Sequence, residues 1–522
     1  MDKLPPSIFN DVIGPVMRGP SSSHVAAAAR IGSLVRQALS GRVKKVLVEF
    51  DVNGSLAESY DGHGSDFGFA SGILGLDLTD PSVQDACVIA GAKGVDIQFC
   101  ISDYGAVHPN HYRIEAWAED GTCHRWDAIS VGGGMVKMEG FNRFDISIEG
   151  GYFELLLTTG VTGCALQDLA RTVSRIIGDY EGIVSVSRFE QGLINVKTMS
   201  PLSANVLEDL GALCSVLDIV CLKPILPTPS RARCEVPFIT STQLLQWVQQ
   251  GEWEMWELAA MYESKRGNMS EDEVLARMGQ LVDIMQNCIT EGLTGTEYAD
   301  RILGPQAHRI DQAMKEGYQV PGDALNCAIK YITAIMEVKS AMGVIVAAPT
   351  AGACACLPGT VLGVARTTGR SRDDIIKGML AAGLVGVFIA QGATFAAEVA
   401  GCQVECGAGS GMAAAALTQM FHGTVEQCVD AAAMALQSVT GLVCDPVANR
   451  VEVPCLGKNI MGGVNAIASA NMALAGYDKV IPLDETIGAM YDIGLKLPLE
   501  LRCTWGGLGK TKTSMDIRKR LS

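Results

Sequence analysis

Four sets of residues in this chain have types and spacings that could do chemistry. In Gly19-Pro20-Ser21-Ser22-Ser23-His24, three hydroxyls and an imidazole stand directly ahead of an apolar run with helical spacing. Hydroxyls and backbone N–H groups at a helix start attract carboxylate or phosphate, so the segment either anchors a small anion or is a plain N-cap with a solvent-facing histidine. In Asp61-Gly62-His63-Gly64-Ser65-Asp66, a histidine lies between two glycines with carboxylates two and three residues away. Glycines admit close backbone approach and a carboxylate can orient an imidazole, so His63 is a general base or a turn residue. Gly401-Cys402-Gln403, Val443-Cys444-Asp445-Pro446 and Val453-Pro454-Cys455 hold three cysteines in small, turn-like contexts. Thiolates suit zinc or iron–sulfur clusters, and a four-iron cluster on only three of them leaves one iron open as a Lewis acid. Cys406, four residues after Cys402, is a competing ligand or a core neighbour. Finally, Ala348-Pro349-Thr350-Ala351-Gly352-Ala353-Cys354 interrupts an apolar stretch, which frees backbone amides for a ligand or simply kinks a helix.

Positioning such groups falls to three regions. Residues 1–148 mix β-branched runs, such as 43–52 (VKKVLVEFDV) and 114–118, with a helix over 25–39 and a tight glycine turn at 131–135. They read as an α+β domain. Residues 149–228 give strand 153–158, helix 165–177, strands 183–189 and 193–198, helix 203–213 and strand 217–222. That order is βαββαβ, the ferredoxin-like unit, and it resembles an ACT domain. Prolines 224, 227 and 229 mark a linker. From 233 to 522 helical patterns dominate, at 240–262, 271–292, 322–340, 372–390, 425–441 and 463–475, so an all-α domain is expected there.

Composition narrows the function. The 522 residues carry a net charge of −16 and no basic stripe beyond a short tail around Lys510–Arg520, so no nucleic-acid partner is expected. Seventeen cysteines, an odd number scattered singly and without paired CxxC spacing, fit reduced thiols in a cytoplasmic protein, and the first residues lack a secretory signal pattern. Two charge-free stretches, 340–365 and 378–397, are long enough to span a membrane. Prolines interrupt the first and Gly and Ala dominate the second, so buried core helices and no membrane partner are expected. No GxGxxG opens a βα unit, and neither GxxxxGK[ST] nor GxSxG occurs, which argues against dinucleotide, P-loop and α/β-hydrolase chemistry.

Taken together the segments resemble the iron–sulfur-dependent L-serine dehydratases (L-serine ammonia-lyases). The similar pieces are IGPVMRGPSSSHVAAAARIG, NGSLAESYDGHGSDFGFASGILG, HPNHYRIEAW and SVGGGM, then MGVIVAAPTAGACACLPG, GCQVECGAGSGMAAAALTQM, GLVCDPVANRVEVPCLGKNIMGGVNAI and WGGLG. They run in the order of a fused β-then-α enzyme, with an ACT-like module between. The resemblance implies a [4Fe-4S] cluster on Cys402, Cys444 and Cys455 and no pyridoxal phosphate. It implies that His63 removes the substrate's α-proton, and that Ser21, Ser22, Ser23 and His24, with Thr350, Ala351 and Gly352, hold the carboxylate and amino group of a small amino-acid substrate. It further implies oxygen sensitivity and a homodimer. Where many members read GHGTDR, this chain has Ser65 and Phe67, and the usual GPSSSHT ends in Val25; the chain closes DIRKRLS, with Cys503 the cysteine nearest that end. These departures bear on the substrate, leaving L-cysteine desulfidation as the rival chemistry and a non-catalytic amino-acid sensor as the rival class.

Overall fold

In the computed structural model, which describes residues 4–521 apart from 20, 232, 233, 250, 299, 300, 449, 451 and 505, the serine-led run becomes the helix Ser22–Ala38. The expected domain start at 233 lies outside the described residues, as do Pro20 of the GPSSSH segment, Asn449 and Val451 between Cys444 and Cys455, and Trp505 of WGGLG. The chain divides into two compact units: Pro20–Cys234, and the stretch before it together with Glu235–Ser522.

The first unit holds a six-stranded sheet in the spatial order Asp96–Ser102, Val43–Asp51, His111–Ala118, Cys123–Gly132, Met135–Phe141, Phe144–Ile148. Its first pair is parallel and the rest antiparallel. Alternating residues of one face, Val46, Val48, Ile114 and Ala116, are buried with Ile31, Leu34 and Val35 of the Ser22–Ala38 helix, as strand and helix periods require. Between Cys123–Gly132 and Met135–Phe141 the three glycines 132, 133 and 134 all take positive φ, which makes the tight turn expected there.

Two helices of this unit pack backbone to backbone. A Cβ added at Gly68 would come within 2.7 Å of the Val25 carbonyl oxygen, one at Gly72 within 2.1 Å of the Ala29 oxygen, and one at Gly32 within 2.4 Å of the Phe69 oxygen. Only glycine permits that approach. The contacts advance along both chains together, so Ser22–Ala38 and Ser65–Leu74 run parallel and their N-terminal ends meet.

Residues 149–228 form strand Phe153–Thr159, helix Gly163–Ile177, strands Gly182–Arg188 and Gln191–Thr198, helix Ala204–Gly211 and strand Val216–Leu222. The strands lie in the order fourth, first, third, second, and every neighbouring pair is antiparallel. Alternation splits the buried residues of this sheet. Leu155, Leu157, Ile194 and Val196 make a core of their own with helix residues Leu166 and Val173, whereas Leu156, Leu193, Val220 and Leu222 join the core of the six-stranded sheet. The segment expected as a separate middle domain is thus built into the first unit.

The second unit is helical, but four expectations need correction. Residues 4–19, assigned from sequence to the first domain, pack here: Ile8 and Val12 are fully buried over Gly383 and Gly386 of the helix Arg372–Gly392. Glu263 accepts from the Ser7 hydroxyl and, at 2.8 Å, from the Ile8 amide. The unit is also not purely α, because Val16–Arg18 pairs antiparallel with Val344–Val346. Arg372–Gly392 is long and apolar enough to cross a membrane, yet 78% of its most apolar window is buried within the protein, as expected of a core helix. The expected helix over 240–262 is two, Ser241–Val248 and Met255–Gly267, because Glu254 and Glu257 form a capping box that starts a new helix. The pattern read at 463–475 is the second half of Glu452–Leu474, whose Pro454 is tolerated in the first turn.

Candidate active site

The cysteines are held by turns that side chains pin together. Cys402 opens the turn Cys402–Val404 and is fully buried. Next to it Gln403, also fully buried, donates from its amide N–H to the Leu442 carbonyl (3.1 Å) and from its side chain to the Ala400 carbonyl (2.8 Å). Its side-chain oxygen accepts from Gly441 (2.8 Å), which fixes the turn leading to Cys444. Cys444 is 3% exposed and held by a bridge to Arg502: its amide donates to the Leu501 carbonyl and its carbonyl accepts from Cys503, both at 2.9 Å. Cys455, 4% exposed, sits in the first turn of Glu452–Leu474.

Asn459, one turn beyond Cys455 and fully buried, joins three elements. Its oxygen accepts from the Ala355 and Cys356 amides (3.3 and 2.8 Å), the open start of helix Cys356–Thr368. Its NH₂ donates to the Cys455 and Gly352 carbonyls (2.7 and 2.8 Å) and to Cys406 Sγ (3.4 Å). Lys458 donates to the Val443 carbonyl (2.6 Å) and to Asp445 Oδ1 (2.5 Å). Burial opposes its charge, but Asp445 and nearby Cys402 outweigh that and raise its pKa.

The structure therefore gathers Cys402, Cys406 and Cys444 into one buried cluster with Cys503 against it. Cys455 feels Cys402 and Cys444 electrostatically. Burial and Cys402 push the Cys455 thiol well up; the Cys444 thiol is raised by Cys503 beside it and then by burial. Thiols so placed ionise only against concentrated positive charge, which is what a metal centre supplies. Among the described residues no three His, Cys, Asp or Glu stand close enough for a single metal ion. A polynuclear cluster spaces its thiolates more widely, and the all-sulfur donor set fits it.

Beside the cysteines runs the Thr350-Ala351-Gly352 loop, half-buried. Thr350 Oγ1 donates to Glu405 Oε1 at 2.7 Å, and a Cβ at Gly352 would lie 3.3 and 3.4 Å from the two Glu405 oxygens. Burial raises the Glu405 carboxyl to about 7 against the Thr350 hydrogen bond. The sequence reading missed Glu405, Asn459, Gln403 and Lys458. All four lie within one turn of a ligand-type cysteine, and that spacing was the available signal.

In the other unit the parallel helices bring His24 and His63 together, ring centroids 4.6 Å apart. Ser21 is the N-cap but makes no side-chain cap bond; its hydroxyl instead lies 2.7 Å from His24 Nδ1. Ser22 is buried, Ser23 half-buried. Burial and then His63 lower His24 to about 4, and burial lowers His63 against the pull of Asp61. Both imidazoles are therefore neutral at pH 7. The expected carboxylate partner is not made: Asp61 Oδ1 accepts from the Gly62 amide (2.7 Å), while His63 Nδ1, Ser22 Oγ, Ser65 Oγ and Asp66 Oδ1 are buried without hydrogen-bond partners among the described residues. Buried polar atoms of that kind are groups a bound ligand can satisfy. Val25 and the Phe67 ring, two of the departures noted above, both flank Gly64.

Comparison with known proteins bears on the same segments. The family model for the serine dehydratase alpha chain matches residues 250–508. The probable L-serine dehydratase alpha chain of Bacillus subtilis is 38% identical over 253 residues, 48% of this chain and 84% of that protein. The L-serine dehydratase alpha chain of Peptoniphilus asaccharolyticus is 37% identical over 267 residues, 51% of this chain and 91% of that protein. The probable beta chain from Bacillus subtilis is 33% identical over 216 residues, 41% of this chain and 96% of that protein. With relatives of both chain types matched over most of their length, this chain belongs to the L-serine dehydratase family.

Proposed function

We propose that the protein is a lyase that converts L-serine to pyruvate and ammonia, with a [4Fe-4S] cluster on Cys402, Cys444 and Cys455 and without pyridoxal phosphate. The observation that carries this reading is the convergence of three buried cysteines from distant segments in a family whose members are named for serine dehydration. When bound, such a cluster supplies a Lewis acid to the departing β-hydroxyl. The protein's own residues do the rest. His63, neutral because it is buried, accepts the substrate's α-proton. Ser21 to His24 and Thr350 to Gly352 hold the ionic groups of the amino acid, using hydroxyls and backbone amides. Proton loss at the α-carbon and departure of the β-hydroxyl give aminoacrylate, which tautomerises to the imine and hydrolyses to pyruvate and ammonia. Residues 149–228 we read as an ACT-like module, on the strength of their element and strand order.

The test is pyruvate formation from L-serine by protein purified without oxygen, beside an air-exposed sample, with sulfide release from L-cysteine followed in parallel. Pyruvate formation that vanishes in air is the expected result. A four-iron absorbance with sulfide and pyruvate from L-cysteine but no pyruvate from L-serine moves the substrate to L-cysteine, and neither absorbance nor turnover overturns the reading.

A further inference from the structure

We infer that Glu405 receives the substrate's amino group while the Ala351 and Gly352 amides receive its carboxylate, so that one edge of the 350–352 loop reads an α-amino acid as a zwitterion. The inference rests on the amino-acid reading above and specifies the part of it played by the 350–352 loop, to which Ser21 to His24 add.

The observations are geometric. Glu405 ends the turn that begins at Cys402 and points its carboxylate at the loop: Thr350 Oγ1 donates to it at 2.7 Å, and both of its oxygens flank the Gly352 Cα. It is half-buried and forms no ion pair among the described residues. Two lysines reach it electrostatically, Lys339 and Lys458; Lys458 is taken by Asp445 at 2.5 Å, and Lys339 forms no ion pair with it among the described residues. A half-buried carboxylate without a cation is costly, and a ligand ammonium is the group that relieves it. The loop's amides are divided as well. Ala353 donates to Thr350, and Ala355 and Cys356 donate to Asn459. Ala351 and Gly352 have no acceptor among the described residues. Two open donors, on Ala351 and Gly352, and a carboxylate without an ion-pair partner thus meet at the loop edge. An α-amino acid carries its ammonium and carboxylate on one carbon, and it is the small ligand whose charges match that spacing. A hydroxy acid of the same shape offers Glu405 a neutral hydroxyl and leaves the carboxylate unrelieved.

Glu405→Gln is the discriminating variant, because the amide keeps the oxygen that accepts from Thr350 and loses only the charge. In the anaerobic holoenzyme, KM and kcat for L-serine are measured together with competitive inhibition by glycerate, in which a hydroxyl replaces the amino group. Should the variant not turn over, calorimetric titration gives both affinities directly. The expected result is serine affinity lowered roughly 100-fold, the size of one desolvated charge contact, with glycerate affinity within about 3-fold of the unsubstituted protein. Glu405→Asp, which keeps the charge, should recover part of the preference for serine. Unchanged serine affinity in Glu405→Gln overturns the assignment, and so does an equal loss for serine and glycerate, which would mark a purely structural hold on the loop. If the unsubstituted holoenzyme neither binds nor turns over serine while its cluster is present, the serine reading itself fails and takes this inference with it.

Discussion

The two units prepare for chemistry in opposite ways. In Pro20–Cys234 the reactive side chains stand at the joined N-terminal ends of two parallel helices, half-exposed, with several polar atoms unsatisfied. In the helical unit the cysteines are 0–4% exposed, and the polar groups around them are bonded to one another through Gln403, Lys458 and Asn459. One arrangement leaves valences for a ligand that comes and goes. The other, around the cysteines, fixes ligands for a group that stays and keeps open groups only at the edge of the 350–352 loop, because a resident cofactor needs donors already oriented and a substrate needs partners not yet used.

The sharpest way to break this comparison is at the cysteines. Cys444→Ser should abolish visible absorbance and bound iron in anaerobically purified protein, since the other thiols are fixed on separate segments and cannot close over the gap. Full iron content in that variant would show that the buried thiols are ordinary core. In the other unit His63→Ala should keep absorbance and iron intact but lower turnover about 10²–10⁴-fold, the usual worth of a positioned base. Unchanged turnover would remove His63 from the reaction.

The same contrast governs what could be read from the sequence. Ser21 to His24 and His63 announce themselves as polar residues among glycines, and the helix and strand behind them follow periodicities of 3.6 and 2. In the helical unit the helices that matter most to the site carry no readable period. Every residue of Cys406–Met420 is buried, so it has no polar face and no amphipathic period, and Cys356–Thr368 carries Pro358, which reads as a break but sits in the first turn. The cysteines themselves were visible as a residue type. Asn459 was not, because its importance lies in bonds to residues more than a hundred positions away. Likewise, the burial of residues 4–19 in the helical unit depends on Gly383 and Gly386, which no local pattern connects to them.

Asn459 gives the next test. Asn459→Ala strands two amides at the start of Cys356–Thr368 and two carbonyls, all of which must then find other partners in a buried site. The expected loss is about 2–4 kcal/mol of stability, read as hydrogen-exchange protection lost in Cys356–Thr368 and Glu452–Leu474 but kept in Ser22–Ala38. Equal loss of protection in Ser22–Ala38 would mean that the two units do not unfold as separate cooperative regions.

The smallest effect tests the histidine pair. His24 titrates near 4 in the folded protein, held down by burial and by His63, against an ordinary value of 6.5. Above pH 6.5 the imidazole is neutral in both folded and unfolded chains and contributes nothing to pH dependence. As pH falls from 6.5 toward 4, the unfolded chain takes up a proton that the folded one refuses, so stability falls; below about 4 both are protonated and the penalty is constant. At pH 5 the penalty is about 2 kcal/mol, and His63, lowered in the same direction, adds to it. Denaturant unfolding of the unsubstituted protein and of His24→Gln at pH 7 and pH 5, under anaerobic conditions, isolates the contribution. The variant should lose less stability on acidification by about that amount. An identical acid response would mean that His24 is solvated enough to accept its proton, and the view of His24 and His63 as a pair of imidazoles kept neutral for a substrate would have to be given up.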